Sequence, residues 1–349
     1  MIPAPYLLYL GNKTDELSVK TSRGLAHWRP ELCIGQYRGP ACRVSLGLPD
    51  MDFREAVQHG AKTLILGVAN AGGILDAESV QHVVAAIEAG LNIASGLHQR
   101  LRDQPLIEAA AQLHARRLFD VRDPPPGLPI GNGARRAGRR LLTVGTDCSV
   151  GKMYTTLAIE REMRRRGILA DFRATGQTGI LIVGSGVPVD AVVADFISGS
   201  VEWLSPARQD GGWDLIEGQG SLFHPSYAGV SLGLLHGAQP DAIVLCHEPE
   251  REFMRGLSGR KLPDLKTCLQ TNIVAAKLTN PDVKAVGVAL NTSRLSEAEM
   301  YRVCASVSDT LGLPCQDPVR MGVNLLVDGL ADAFPEPMLA VGECAPGNH

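Results

Sequence analysis

The residues with the clearest chemical meaning form a glycine-bounded loop that ends in lysine, within the string LLTVGTDCSVGK at 141–152. An apolar run precedes this loop and a helical stretch follows it. The backbone amides of such a loop converge on an anion, and the N-terminus of the following helix adds partial positive charge. The lysine supplies a mobile ammonium for the distal phosphates. We therefore predict a phosphate-binding loop made of Gly145, Thr146, Asp147, Cys148, Ser149, Val150, Gly151, Lys152 and Met153.

Met153 stands where phosphate-loop enzymes usually carry a serine or threonine that binds magnesium. A thioether is a poor ligand for a hard cation, and Thr155 and Thr156 lie further along the helix. We predict no metal-ligand residues, and the loop leaves open whether its phosphates belong to a coenzyme or to a nucleotide with magnesium.

Two residues, one at the end of the apolar strand at 213–217 and one on the loop that follows it, are candidates for a catalytic base. Glu217 ends this strand directly before a glycine turn, and burial raises the pKa of a carboxyl group into a useful range for a base. His224 follows on the same loop, where a histidine with a purely structural role is an almost equal alternative. Asp195 is a third catalytic candidate; together with Asp190 it also suits the first turn of a helix, which the helix dipole favours.

Other polar residues follow strands and are candidates for substrate binding. Arg173 and Gln177 come just after the second strand of this half, and an arginine there can grip a carboxylate with two hydrogen bonds. Arg251 follows the fourth strand, where a charged solvated turn is an equal alternative. Ser221 joins this substrate-binding set, and Asn291 is assigned to the nucleotide or coenzyme base.

Cys148 lies inside the phosphate loop, but no histidine stands beside it in the sequence. This arrangement argues against a nucleophilic cysteine. We assign Cys148 to the loop only.

Around these residues, apolar runs alternate with helical stretches. Strands are predicted at 141–144, 168–173, 213–217, 242–247 and 283–290, with helices at 153–166, 189–204, 265–278 and 296–311. In the first part, strands at 6–10, 62–68 and 91–94 alternate with helices around 80–87 and 106–119. A turn is predicted at 70–73, but no G-x-G-x-x-G follows the first strand. This order predicts an α/β protein, a Rossmann-like domain at 1–123 followed by a doubly wound P-loop domain at 140–349.

The segment between these domains, 124–139, begins with consecutive prolines and ends among arginines. We interpret it as a linker, and solvated arginines are a simpler interpretation than an anion-steering patch.

Bulk properties exclude several classes of protein. A net charge of −3 over 349 residues gives no broad basic face, so we expect no nucleic-acid partner. No run approaches the length of a membrane span, and eight scattered cysteines without C-x-x-C spacing suit a reducing compartment. We expect a cytoplasmic enzyme that acts on a small-molecule substrate and itself forms homo-oligomers.

The loop resembles that of dethiobiotin synthetase and its relatives, whose form G-T-x-T-x-x-G-K-T is matched except at Cys148 and Met153. Glu217-Gly218-Gln219-Gly220-Ser221 resembles their E-G-A-G-G string, whose glutamate helps to bind metal, and Asn291 resembles the asparagine that ends their base-binding strand. This resemblance implies an ATP- and magnesium-dependent ligase or a kinase-like P-loop enzyme.

Longer strings resemble another family. GTDCSVGKM, ATGQTGILIVGSGVPVDAVVADF at 174–196 and IEGQGSLFHPSY at 216–227, behind a Rossmann-like domain, are similar to D-glutamate N-acetyltransferases. This resemblance spans nearly the whole chain and implies an acyltransferase of D-glutamate catabolism, which moves an acetyl group from acetyl-CoA to D-glutamate. The ATP-dependent ligase and a nucleotide-binding switch protein are the alternatives.

Overall fold

The computed structural model describes residues 2–68 and 74–335, so the turn predicted at 70–73 lies outside the described residues. Its contacts divide the chain into two compact units. The first comprises Met1–Pro124 and Gly176–Ala191, and the second comprises Pro125–Thr175 and Val192–His349. The first boundary falls within the prolines of the predicted linker. The predicted bounds place residues 176–191 in the P-loop domain, whereas their contacts place them in the first unit.

The first unit contains a parallel five-stranded sheet of order β2-β1-β3-β4-β5. Its strands are β1 (Tyr6–Gly11), β2 (Cys33–Arg38), β3 (Thr63–Leu66), β4 (Asn92–Ser95) and β5 (Leu118–Asp120). Its helices are α1 (Lys20–Trp28), α2 (Phe53–Gln58), α3 (Ala77–Ala89), α4 (Pro105–Leu113) and, from the returning segment, α6 (Gln177–Val183). The strand order places a topological switch between β1 and β3.

Helix α3 shows how the local sequence sets its limits. Asp76 caps its start by accepting a hydrogen bond from the Ser79 amide, and Gly90 ends it with a φ of 112°. Val83 and Ile87 on its apolar stripe are fully buried in the core of this unit. The predicted helix and its stop at Gly90 therefore agree with the structure.

The second helix predicted in this unit, 106–119, extends too far, because its last residues belong to a strand. The helix ends at Leu113, Ala115 leaves the helical region with a φ of 51°, and the following residues form β5. Pairing with β4 outweighs the helical propensity of these residues, because it satisfies backbone groups at the edge of the sheet.

The second unit contains a parallel six-stranded sheet of order β11-β10-β9-β6-β8-β7. Its strands are β6 (Arg139–Gly145), β7 (Ala170–Arg173), β8 (Trp213–Ile216), β9 (Ala242–His247), β10 (Lys284–Leu290) and β11 (Cys315–Gln316). Its helices are α5 (Lys152–Arg165), α7 (Ile197–Leu204), α8 (Ala228–Ala238), α9 (Leu265–Lys277), α10 (Glu297–Leu311) and α11 (Asn324–Ala333).

Both faces of this sheet are covered by helices, as expected for a parallel sheet. Helices α5 and α11 contact each other over one face, and α8 packs between α7 and α9 over the other. Alternate residues of each strand face the two helix layers. Leu141 and Val244 belong to the core under α5 and α11, and Leu142 is equally buried on the opposite face of the sheet. This is the doubly wound arrangement predicted from the alternation of strands and helices.

One predicted helix of this unit is only partly present. Of the stretch 189–204, only Ile197–Leu204 is α-helical, after two short 3-10 turns. The chain passes from the first unit to the second between Ala191 and Val192, so a continuous helix is not formed there.

The arginines at the end of the linker have a structural role that the sequence did not predict. Arg136 donates hydrogen bonds to the carbonyls of Glu202, Ser205, Gly237 and Ala238, where α7 and α8 end. Burial lowers the pKa of Arg136 to about 10. The guanidinium thus satisfies carbonyls that helix ends leave without partners, and it is not a solvated linker charge.

Candidate active site

The site lies at the carboxyl edge of the second sheet. Strand β6 is central, with β7 and β8 on one side and β9, β10 and β11 on the other. The chain crosses from one side to the other between β8 and β9, so the ends of β6, β8 and β9 meet at the topological switch. Ligands bind at such a point in open α/β sheets.

The loop after β6 has the geometry of a phosphate cradle. A Cβ atom on Gly145 would lie 2.8 Å from Val150 and 3.2 Å from Lys152 Nζ, so only glycine lets the loop close over the lysine. Gly151 has a φ of 105° and precedes the first residue of α5. Lys152 Nζ donates to the Asp147 carbonyl at 2.7 Å, and burial lowers the pKa of this ammonium. A buried ammonium at the start of a 14-residue helix is suited to the binding of an anion.

The turn after β8 packs against this loop. The amide of Gly218 donates to Thr143 Oγ1 at 3.0 Å, and a Cβ atom at this glycine would lie 3.0 Å from Lys152 Cδ. Glu217 is only 5% exposed, and its Oε2 accepts a hydrogen bond from the Thr175 amide at 3.1 Å. Glu217 is therefore a buried carboxyl group beside the turn that touches the loop lysine.

Ser221, on the same turn, donates to the Thr146 carbonyl at 3.1 Å. Residues from the loop after β6 and the turn after β8, predicted separately, are thus brought together.

The hydroxyl groups near the loop that might replace a serine at position 153 are engaged. Thr155 Oγ1 donates to the Gly151 carbonyl at 3.0 Å, and Thr156 Oγ1 donates to the Lys152 carbonyl at 2.8 Å. Both threonines are buried. Both hydroxyls therefore donate to backbone carbonyls at the start of α5.

Arg251 holds the loop from its outer side. Its Nη1 donates to the Cys148 carbonyl at 2.6 Å and to Asp147 Oδ2 at 3.0 Å, and its Nη2 donates to the Ser149 carbonyl at 3.2 Å. It also forms an ion pair with Glu248. The guanidinium expected to grip a substrate carboxylate is therefore occupied in fixing the shape of the loop.

The fold places a histidine beside Cys148, which the linear sequence does not reveal. One ligand atom each from Asp147, Cys148 and His224 lies within 4.8 Å of the other two, and Asp147 Oδ1 is a buried atom without a hydrogen-bond partner. Burial is the main influence on Cys148 and raises the pKa of its thiol, which Lys152 partly offsets. The cysteine is therefore a resting thiol rather than a thiolate.

His224 already has contacts at both ring nitrogens. Nε2 lies 3.4 Å from the Arg255 carbonyl, and the Ser226 amide donates to Nδ1 at 3.2 Å. The ring also stacks on Tyr227. These contacts hold the imidazole in one orientation.

The remaining predicted residues are more dispersed. Arg173 is tied to the fully buried Asp214, with Nε at 3.0 Å from its Oδ1, and Gln177 lies in α6 of the first unit, against Gly96. Asp195 is exposed on the turn Ala194–Phe196. Asn291 follows β10, and its backbone amide donates to the backbone carbonyl of His247, the last residue of β9. Of these residues, Asn291 stands at the switch-point edge.

Two further residues at this edge, His247 and Thr175, are not among the predicted site residues. His247 Nδ1 lies 2.9 Å from Thr146 Oγ1, and burial lowers the pKa of this imidazole to about 4, so it is neutral above that pH. Thr175 is fully buried and its Oγ1 donates to the Glu217 carbonyl at 2.5 Å. The position of His247 at the end of a strand beside the phosphate loop is a signal that could have identified it.

A phosphate loop at the switch point of an open parallel sheet, joined to a Rossmann-like unit, defines a two-domain P-loop α/β protein. A model described as the domain of unknown function DUF1611_C, a P-loop domain, matches residues 129–327. A second, DUF1611_N, described as a Rossmann-like domain, matches residues 35–124. The chain belongs to the DUF1611 family, and the predicted fold class is confirmed.

Relatives of known name cover almost the whole chain. A protein of Pseudoalteromonas named D-glutamate N-acetyltransferase is 52% identical over 94% of this chain and 99% of its own length. A protein of the same name from Tritonibacter scottomollicae is 51% identical over 95% of this chain and 99% of its own. The crystal structure of a DUF1611 family protein from Anabaena variabilis is 30% identical and superposes with a TM-score of 0.86, covering 95% of this chain and all of its own. The family resemblance predicted from the motifs is confirmed.

Within the described ranges 2–68 and 74–335, no helix is long and apolar enough to cross a membrane.

Proposed function

We propose that this protein transfers an acetyl group from acetyl-CoA to the amine of D-glutamate. The observation that carries this proposal is identity above one half, over nearly the full chain, with two proteins named for this activity. Substrate-binding and catalytic residues are distributed along a chain, so similarity confined to the P-loop would be weaker support.

The phosphate loop suits the phosphates of the coenzyme. Its glycines allow close backbone approach, and Lys152 places a buried ammonium at the anion position. Bound acetyl-CoA supplies an activated thioester. Because no phosphoryl group has to be transferred, the absence of a hydroxyl ligand at Met153 is compatible with this role.

We assign the base to Glu217. It takes a proton from the substrate ammonium so that the neutral amine can attack the thioester carbonyl; the C–S bond then breaks, and coenzyme A leaves as the thiol with the second amine proton. The carboxylate of Glu217 is oriented by the Thr175 amide. His224 is the second choice, because both its ring nitrogens already have partners. Asp195 is the weakest of the three candidates, because it is exposed on its turn.

Among the predicted substrate-binding residues, Ser221 contacts the phosphate loop, since its hydroxyl donates to the Thr146 carbonyl. Arg173 and Arg251 each hold an internal carboxylate, so we propose that they position the site. Gln177 remains a prediction within the first unit.

The first experiment is a mass-spectrometric endpoint assay with acetyl-CoA and either D-glutamate or L-glutamate, with and without EDTA. We expect N-acetyl-D-glutamate, formed equally well with the chelator. A parallel reaction contains ATP and magnesium in place of acetyl-CoA. ADP formation there, with no acetylated product from acetyl-CoA, would contradict the proposal and favour the ATP-dependent ligase.

A second prediction concerns the thiol in the loop. Cys148→Ser should change kcat/KM by less than about 5-fold, or about 1 kcal/mol, because we assign the thiol to loop packing only. Initial-rate kinetics would measure this, with the half-buried Cys42→Ser as the control cysteine. A large loss for Cys148→Ser alone, with an acetyl group found on Cys148 of the wild-type protein, would instead establish a covalent route through the neighbouring His224.

A further inference from the structure

The segment 251–262 forms a short hairpin after β9, in the second unit. Phe253 and Lys261 form an antiparallel bridge, and the Leu262 amide donates to the Glu252 carbonyl at 3.0 Å. Gly256 and Gly259 have φ values of 78° and 89°, which suit its tight turns. Met254 is only 4% exposed and anchors the hairpin to the domain. We call this segment the basic hairpin.

The charge of the basic hairpin contrasts with that of the chain. It holds the cations Arg251, Arg255, Arg260 and Lys261 against one acidic residue, Glu252, whereas the whole chain has a net charge of −3. The cation at its base, Arg251, is occupied by the loop carbonyls. The other three cationic residues are exposed, and Lys261 lies 3.4 Å from Glu252. Arg255 and Arg260 are therefore the exposed cations of the basic hairpin that form no ion pair with a carboxylate among the described residues.

Both arginines are placed against the phosphate site. Arg255 Nη1 donates to Ser149 Oγ in the loop at 2.6 Å, and its backbone amide donates to Asp147 Oδ2 at 2.7 Å. Arg260 Nη2 lies 3.4 Å from the Phe223 carbonyl, on the loop after β8. The two guanidinium groups thus stand beside the two loops that form the site.

We propose that Arg255 and Arg260 bind the 3′-phosphate of coenzyme A and select this coenzyme over nucleotides that lack that group. The inference rests on the proposed function. A phosphate loop with one lysine suits the diphosphate of the coenzyme, and the 3′-phosphate on the adjoining ribose is a second dianion that needs its own cations. Arginine is the usual residue for this task, since its planar donors match phosphate oxygens.

The first test compares acetyl-CoA with acetyl-3′-dephospho-CoA. We expect the wild-type protein to prefer acetyl-CoA by about 10-fold or more in kcat/KM, an effect that solvent exposure of the arginines keeps moderate. In Arg255→Ala combined with Arg260→Ala, this preference should disappear through a higher KM for acetyl-CoA. The values for the dephospho donor should change less than those for acetyl-CoA, because Arg255→Ala retains the backbone bond to Asp147 and loses only the side-chain bond to Ser149 in the loop.

The second test measures binding directly, by calorimetry with CoA, 3′-dephospho-CoA and ADP. The double variant should bind all three with similar affinity, whereas the wild-type protein should bind CoA most tightly. Lys277 is an exposed lysine at the C-terminal end of α9, whereas the basic hairpin precedes the N-terminal end of this helix. Lys277→Ala is therefore the matched control and should retain the preference for CoA. Arg255→Lys combined with Arg260→Lys should restore part of it, since the charge is kept.

Three results would overturn the inference. Equal weakening of both donors in the double variant would show that the arginines do not distinguish the 3′-phosphate. A raised KM for D-glutamate alone would assign them to substrate carboxylates. Product formed by the wild-type protein from both donors equally would reject this inference and leave the proposed function intact. The proposed function itself fails only if neither donor yields product.

Discussion

Replacing Lys152 with methionine is expected to lower kcat/KM for acetyl-CoA by on the order of 100-fold, mainly by raising KM. The ammonium is the one charged side chain within the phosphate loop that donates inward, and a hydrogen bond to a charged group contributes about 1.5–3 kcal/mol. Methionine keeps a similar length, so Gly145 and Gly218 retain their packing around the chain. Initial-rate kinetics and calorimetry with CoA would measure the loss.

The same variant should not be less stable than the wild-type protein. Burial lowers the pKa of Lys152, so the folded state holds the proton less tightly than the unfolded chain does. The charged lysine therefore costs stability at neutral pH, and this cost falls as pH rises through the lowered pKa. Thermal unfolding should give an equal or higher Tm for Lys152→Met. A lower Tm together with lost activity would mean that the lysine is structural, and would remove the argument for a phosphate cradle.

Replacing Glu217 with glutamine is expected to lower kcat by at least about 100-fold, since general bases contribute about 10²–10⁴-fold. Glutamine keeps the size of the side chain and can accept the Thr175 amide through its own oxygen. It cannot take a proton from the ammonium of the substrate. The KM for acetyl-CoA should change little, in contrast to Lys152→Met.

The pH profile distinguishes a base from a merely structural carboxylate. In the wild-type protein, kcat/KM for D-glutamate should fall on the acid side as the base is protonated, and Glu217→Gln should lose this limb. Asp309→Asn, an exposed carboxylate on α10, is the control and should match the wild-type protein. If Glu217→Gln retains activity and His224→Asn does not, the base is His224.

Local patterns in the sequence determined most of the elements of the second unit. The predicted strands and helices agree with the structure where the signal is short-range, as in the helix starting after Ser296. There, the serine accepts from the Glu299 amide and the glutamate side chain accepts from the serine amide, so four consecutive residues contain the whole signal. The phosphate loop was predictable for the same reason, since its glycines and its lysine lie within a few residues of one another in the sequence.

Tertiary structure decided what these residues contact. The stretch 176–191, which follows a strand of the second unit, clusters with the first unit, and Arg136 of the linker is buried against two helix ends. No local pattern records either contact, because the partners are distant in sequence. The C-terminal end of the helix predicted at 106–119 was wrong for a similar reason, since pairing with β4 competes with helical propensity.

The chemistry of the site shows the same division. The sequence by itself determined the glycine-bounded loop that ends in Lys152, and it places a methionine at position 153. Only the folded chain places His224 beside Cys148, turns Arg251 onto the loop carbonyls and sets Arg255 and Arg260 beside the loops after β6 and β8. The physical reason is that parallel strands bring their carboxyl ends to one edge whatever their separation in the chain, so the partners at that edge depend on strand order.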